Sequence, residues 1–342
     1  MARQQQLRRS NKGTERLNLL GAEAKVLCVD ALSEVLSICR CERAVTARFT
    51  LSEPWALQSK GVSGAMIRMV TGKPYWMQVE DAPPFLVQPD DLVMLPHGSA
   101  HVMSSDPGVP PTPFSELIAR YRGGPEEDTP FVMTWGGGGG TSTMFSTLAW
   151  FSAYCRSTVM AILPRCIHLR ASELSVGGGL AGAMHLLVDE SLARRSGWKL
   201  AAARLADLLL VHILREHLEG EHPRQANWLR GLTHKSVASA IALMHREPAR
   251  DWTLAELAEA VHMSRSRFSA LFASLVGLTP MEYLFRHRMS VAAGLLEERR
   301  MPLIEVAEHV GYTSEKAFSR AFARWAGYSP ARHAQRVSRL VS

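Results

Sequence analysis

Near its C-terminus the chain carries one pattern twice, and that constrains its fold more than any other feature. Leu254, Glu256, Ala258, Glu259 and Val261 recur as Leu303, Glu305, Ala307, Glu308 and Val310. After one inserted residue, Phe268, Ser269, Phe272, Ala273, Gly277 and Pro280 recur as Phe318, Ser319, Phe322, Ala323, Gly327 and Pro330. Two long matches at one spacing point to a single helical module used twice. In the first copy Thr253 and Glu256 have the spacing of a capping box, so a short helix starts there. Its apolar stripe is Leu254, Leu257, Ala258 and Val261, and the chain turns at His262 and Met263. Ser264 then caps a second helix that buries Phe268, Leu271, Phe272 and Leu275 and stops at Gly277. In the second copy Pro302 suits the first helical position, Gly311 and Tyr312 make the turn, and Thr313 or Ser314 caps a helix ending at Gly327. Short helix, tight turn and longer helix describe a helix-turn-helix.

Paired helices in repeats more often build solenoids, but two copies are fewer than a solenoid needs to bury its core. The polar starts of the second helices favour DNA. Arg265, Ser266, Arg267 and Ser269 open one, and Glu315, Lys316, Ser319 and Arg320 open the other. These residue types reach phosphates and base edges from the part of a helix that enters a major groove. The formal net charge of +7 agrees with a polyanionic partner, although charge alone is a weak argument.

From about Ser236 to His333 the chain resembles the AraC/XylS family of bacterial transcription regulators. The carriers are LAELAEAVHMSRSRFSALFASLVGLTPMEYL, then Arg286, Arg288, Met289, Ala292, Leu295 and Leu296, then IEVAEHVGYTSEKAFSRAFARWAGYSPARH. The resemblance implies a rigid helix from about Met281 to Glu298 joining two readers of double-stranded DNA, with contact blocks about one helical turn, roughly 10 bp, apart. By position it implies base contacts from Ser266, Ser269 and Ala270, and from Glu315, Lys316, Ser319 and Arg320. Ala270 departs from the larger polar residue common there. It can touch a thymine methyl but donates no hydrogen bond, which shifts weight to Arg265 and Arg267 as phosphate or base contacts.

The region from Lys25 to Leu169 changes character. Short apolar blocks recur between turn signals at Ala44–Leu51, Ala65–Val70, Tyr75–Val79, Phe85–Val87, Leu92–Leu95, His101–Met103 and Phe131–Trp135, which argues for a small barrel or jelly roll. With Pro96, Gly98 and His101 in DDLVMLPHGSAHVMSSDP, it resembles the cupin-type sensory domain of one branch of these regulators. Catalytic cupins take most metal ligands from an earlier strand with a His-x-His pair and a glutamate. The corresponding GAMIRMVTGKPYWMQVE has no histidine, and His97 with His101 do not make a three-ligand set, so we expect no metal and no other cofactor. Arg68, Tyr75, Trp76, Gln78, His97 and His101 are the candidates to line a ligand cavity, with an empty structural barrel as the other reading.

Gly136–Gly140 lacks the lysine and Ser/Thr of a phosphate-binding loop and reads as a flexible connection between strands. Five scattered cysteines give no disulfide framework. Cys39 and Cys41 fall in an apolar stretch, Ala31 to Cys41, that reads as helical; they and Cys28, Cys155 and Cys166 read as buried thiols, a redox switch being the alternative. Helical periodicity returns from Leu180 to Leu218, and its long stripe through Leu200, Leu205, Leu208, Leu209, Val211, Ile213 and Leu214 suits a homodimer interface.

The expected architecture is α+β and multidomain: a basic disordered tail over 1–24, a cupin-like β-barrel sensor over 25–175, a helical linker and dimerisation segment over 176–232, and an all-α double helix-turn-helix over 233–342. No apolar stretch is long enough for a membrane span and no signal-peptide segment follows the basic N-terminus, which places the protein in the cytoplasm away from membranes. The expected function is a sequence-specific transcription factor, an activator or a repressor, that answers a small-molecule or redox effector and has RNA polymerase as a further partner. The competing reading is a metal-dependent cupin enzyme fused to a DNA-binding module.

Overall fold

The computed structural model describes residues 31–37, 39–122, 129–174, 179–219, 228–298 and 301–341. The basic tail, Cys28, Gly177, Gly178 and the polar linker at 220–224 lie outside the described residues.

After α1 (Ala31–Leu36) come β1 (Cys41–Ser52), β2 (Ala56–Ser59), β3 (Ala65–Gly72), β4 (Tyr75–Val79), β5 (Phe85–Val87), β6 (Leu92–Leu95), β7 (His101–Ser104), β8 (Thr112–Pro113), α2 (Phe114–Arg122), β9 (Phe131–Gly136), β10 (Thr141–Phe151), α3 (Ala153–Thr158) and β11 (Ile167–Leu169). The strands form two sheets, ordered β11-β6-β3-β10-β1-β9 and β5-β4-β7-β2-β8. Strand alternation sends Ala47, Phe49, Leu51, Met66, Val70, Val93, Leu95 and Met144 from the first sheet and Leu57, Tyr75, Met77, Val79 and Met103 from the second into one core. The expected barrel is thus a two-layer jelly roll.

The strand register corrects one reading, and loop hydrogen bonds refine another. The helix begun at Ala31 ends at Leu36, because Cys41 already pairs with Phe151 at the start of β1. The five-glycine run links β9 to β10 while bonded along Ser52 and Glu53: Gly137 N donates to Ser52 O at 2.9 Å and Gly139 N to Glu53 O at 2.8 Å. A Cβ on Gly136, at φ 129°, would stand 1.8 Å from Ser52 O, so glycine serves close backbone approach there.

Helices α4 (Gly179–Ala193) and α5 (Trp198–Glu219) follow. They pack on the first sheet: Cys41 N donates to Asp207 Oδ1 at 2.6 Å, the His185 and Phe145 rings stand 4.4 Å apart, and Thr147 Oγ1 approaches Met184 Sδ at 3.8 Å. Leu209, Leu210, Ile213 and Leu214 are buried, whereas Leu200 and Leu208 are 62% and 44% exposed. Part of the expected dimer stripe therefore belongs to the subunit's own core.

The remaining helices are α6 (Trp228–Leu232), α7 (Lys235–Arg246), α8 (Leu254–Ala260), α9 (Arg265–Val276), α10 (Pro280–Glu298), α11 (Leu303–His309), α12 (Glu315–Ala326) and α13 (Pro330–Val341). The division into compact units falls inside α10, after Phe285, so the two helix-turn-helices belong to different units. In the first, Val237, Ile241 and Met244 of α7 are buried, as are Leu257, Phe268, Phe272 and Tyr283. His245 Nε2 lies 2.6 Å from the Tyr283 hydroxyl and the two rings stack. In the second, Met289, Ala292, Val306, Ala307, Phe318 and Phe322 are buried, and the His333 ring packs edge-on against Phe322 while its Nε2 donates to Glu297 Oε1 at 3.1 Å.

Candidate nucleic-acid interface and sensory core

The amino-acid pattern dictates α9 and α12 in the same way. Ser264 Oγ accepts from Arg267 N and Ser314 Oγ from Ala317 N, both at 3.4 Å, satisfying one orphan donor of each helix. Gly277 at φ 78° and Gly327 at φ 80° end the two helices in the left-handed conformation that suits glycine. Ser314 rather than Thr313 is the cap, and Pro302 is itself the N-cap of α11, one residue ahead of the expected first position. Each turn is closed alike, with Met263 N donating to Ala258 O and Tyr312 N to Ala307 O at 2.9 Å.

Burying Phe268 and Phe272 turns the opposite face of α9 outward, and Phe318 and Phe322 do the same for α12. Arg265, Ser266, Arg267 and Ala270 are exposed and Ser269 is half-buried; Glu315, Lys316 and Arg320 are exposed and Ser319 is half-buried. The structure thus brings each predicted set together on the free side of one helix. Arg265, Arg267, Lys316 and Arg320 make no ion pair with any described residue. Their charge is available to phosphate, and at α9 it sits beside the positive end of the helix.

The sequence reading missed a groove of about 610 Å³ beside α9, lined by His234, Ser236, His262, Arg267 and Ala270 among others. His234 and Ser236 come from the start of α7, so only folding places them next to Ala270. Their signal in sequence was faint: polar residues ahead of an apolar helix.

In the sandwich, strand phase separates the ligand candidates. Arg68 on β3, Tyr75 on β4 and His101 on β7 are buried between the sheets. Trp76 and Gln78 fall on the other, half-buried face of β4, and His97 sits in an exposed turn where its Nε2 donates to the Leu163 carbonyl at 3.1 Å. Arg68 Nη1 donates to His101 Nε2 at 3.0 Å, which makes that nitrogen an acceptor; the ring proton lies on Nδ1 and is given to Ser99 O at 2.7 Å. Burial, then the Arg68 charge, pulls the His101 pKa down to about 3, so the ring is neutral. Both ring nitrogens are occupied and His101 offers no lone pair to a metal. Among the described residues, no three His, Cys, Asp or Glu side chains gather as a metal site.

Cys155 hydrogen-bonds Cys39, a pairing invisible in sequence; that bond, then burial, holds its thiol well above the ordinary pKa. Burial, then the Asp207 charge, pushes Cys41 up to about 12, and burial pushes Cys166 to about 12. Protonated thiols are poor nucleophiles.

Residues 30–219 match a family model described as a cupin, and residues 257–336 match a helix-turn-helix domain. An AraC-like transcription regulator of Streptomyces antibioticus is 30% identical over 88% of this chain and 97% of its own length. The chain belongs to the AraC family of transcription regulators. Within that family it is also similar to AlkR of Acinetobacter baylyi, 26% identical over 90% of this chain and 99% of that one, and to the transcriptional activator RclR of Escherichia coli K12, 26% identical over 92% and 100%. The regulator therefore binds double-stranded DNA through its C-terminal domain and carries an N-terminal cupin domain. No single helix among its described residues is long and apolar enough to cross a membrane.

Proposed function

We propose that the regulator reads promoters through the exposed faces of α9 and α12, with Arg320, Lys316, Ser319 and Glu315 contacting bases, and Ser266, Ser269 and Ala270 contributing a sparser set. Arg265 and Arg267 hold phosphates, and His234 and Ser236 meet the backbone beside Ala270. The single observation that carries this reading is the pair of identically capped helices whose outward cations have no ion-pair partner among the described residues. The family resemblance implies a spacing of about one helical turn, roughly 10 bp, between the contact blocks.

The same reading makes the chain a cytoplasmic, non-enzymatic homodimer that pairs through the exposed Leu200 and Leu208 of α5, and an activator that touches RNA polymerase. Its effector is a small molecule; the raised thiol pKa values of Cys41, Cys155 and Cys166 disfavour the reactive thiolate that a redox switch would use. A footprint of the purified protein on the DNA upstream of its own gene, at stated salt, tests the core of it. Two protected blocks about 10 bp apart are expected; a single block, or one that slides with sequence, would remove the two-reader geometry. Sedimentation of wild type against Leu200→Glu with Leu208→Glu tests the dimer, and a wild-type monomer at micromolar concentration would remove α5 from that role.

A further inference from the structure

We propose that the sensory sandwich binds the carboxylate of a small apolar acid, with Arg68 as its anchor and Trp55 and Tyr75 as auxiliary donors. This deepens the reading of residues 30–219 as a sensor and rests on it. The interior between the sheets holds buried donors that lack good acceptors, and one of them is charged.

Arg68 is 2% exposed, yet no carboxylate of the described residues lies within ion-pair distance of it. Its position on β3, opposite Ser146 of β10, points it into the core, where Nε donates to Ser146 Oγ at 3.4 Å. Nη1 is used by His101 Nε2 and by the Met103 sulfur, a weak acceptor, while Nη2 donates to no described atom. His101 is neutral and brings no counter-charge. Asp91, also buried, is engaged by His168 Nε2 and by the N–H groups of Gln88 and Ala171.

Two neutral donors, Trp55 and Tyr75, are buried in the same sandwich core. Trp55 Nε1 is buried without a partner among the described residues, and its ring lies 6.0 Å from that of Tyr75. Among the described residues the buried Tyr75 hydroxyl has only the Met77 sulfur as a partner, at 4.0 Å. A buried charge is costly unless it is paired, and an unmet donor adds to that cost. A carboxylate answers both: its two oxygens accept from the planar guanidinium fork and leave lone pairs for a neighbouring N–H or O–H.

The walls specify the rest of the ligand. Met66, Met77, Met103, Met133 and Met144 belong to this core, and unbranched thioether side chains repack readily around an apolar body. A single cation selects a monoanion over a phosphate dianion, and the apolar walls disfavour a polyhydroxylated sugar.

The test uses full-length protein with hexanoate, decanoate and phenylacetate, each against its primary amide, which keeps the shape and removes the charge. At saturation at least one acid is expected to raise Tm by about 5 °C, its amide leaving Tm unchanged. Arg68→Met is expected to abolish the shift while the ligand-free protein keeps its fold, because relief of an unpaired buried charge offsets the hydrogen bonds lost to His101 and Ser146. Trp55→Phe, which removes only the N–H, is expected to weaken acid binding several-fold. No shift with any acid, equal shifts with amides, or a shift that survives Arg68→Met would each overturn the proposal. If Arg68→Met fails to fold, an acid shift in wild type that Trp55→Phe leaves untouched overturns it too. The DNA footprint is read in the same samples: acid binding with an unchanged footprint upholds the site and removes its signalling role, whereas loss of the footprint without any ligand bears on the DNA-binding reading alone.

Discussion

Residue for residue, Ser264, Phe268, Phe272 and Gly277 of the first helix-turn-helix answer to Ser314, Phe318, Phe322 and Gly327 of the second, and the capping bonds have the same 3.4 Å length. Outward the two part company. Arg265 stands where the second unit has Glu315, Ser266 against Lys316, Arg267 against Ala317, and Ala270 against Arg320. Positions fixed by packing and capping repeat because a cavity or a lost cap destabilises the unit; positions facing solvent diverge because folding asks nothing of them. The first unit carries its charge at the helix start, where phosphate is met. The second carries its arginine further along, where a bidentate pair with guanine becomes possible.

The largest effect should come from breaking what the units share. Phe272→Ala and Phe322→Ala each remove a fully buried ring and should cost about 3–5 kcal/mol. Hydrogen exchange on the full chain should show faster opening of the mutated unit only, and the footprint should lose one block. Loss of both blocks from either change would show that the units do not fold separately. Next in size, Arg320→Ala should weaken specific binding by about 1–3 kcal/mol and relax preference at one base pair, leaving non-specific DNA little affected. Arg267→Ala should instead weaken all sequences alike and reduce the salt slope by about one. Titrations against specific and random duplexes at several salt concentrations separate the two, and identical profiles would erase the contrast between base-reading and phosphate-holding units.

How legible the molecule was depended on local punctuation. Thr253, Ser264, Gly277 and Gly327 mark helix ends by short-range bonds, so the double helix-turn-helix and its outward residues could be read directly. The sandwich was legible where apolar residues alternate, as in β3, β4, β6 and β7. It was not legible at β10, whose TSTMFSTLAWF buries Ser142, Ser146 and Thr147 between β1 and β3. Small hydroxyl residues look like loop composition until neighbouring strands cover them. The sensory site was legible only in part for a similar reason: Arg68, Tyr75 and His101 stood among the candidates, but which face of β4 points inward is set by pairing with β5 and β7, so Tyr75 and Trp76 could not be told apart. The proximity of Cys39 to Cys155, or of His234 to Ala270, is a tertiary fact with no local trace.

Smaller differences lie at the helix starts. Thr253 and Glu256 form a complete capping box, whereas Pro302 makes no side-chain cap bond. Thr253→Ala should cost about 1 kcal/mol and act on the first unit alone. The backbone N–H of Thr253, then its hydroxyl, holds the Glu256 carboxyl below its ordinary pKa. A group lowered in the folded state contributes stability above its unfolded pKa and loses it as pH falls through the folded one. Acidification should therefore speed exchange at the start of α8 before that of α11, and equal responses would remove the box as the cause.

The smallest effect is expected at the turns. His262 holds φ 55° and Gly311 holds φ 81° at corresponding places, each followed by the same 2.9 Å bond back to the short helix. The left-handed region costs a non-glycine residue about 1 kcal/mol through its Cβ, and glycine escapes that cost while giving up more unfolded-state entropy. The two terms oppose each other, so His262→Gly should stabilise the first unit by less than about 1 kcal/mol, and Gly311→His should destabilise the second by a similar amount. His262 is exposed and lines the groove beside Arg267, so a loss of DNA affinity accompanying a gain in exchange protection would show that the histidine is retained for contact with the duplex rather than for the turn.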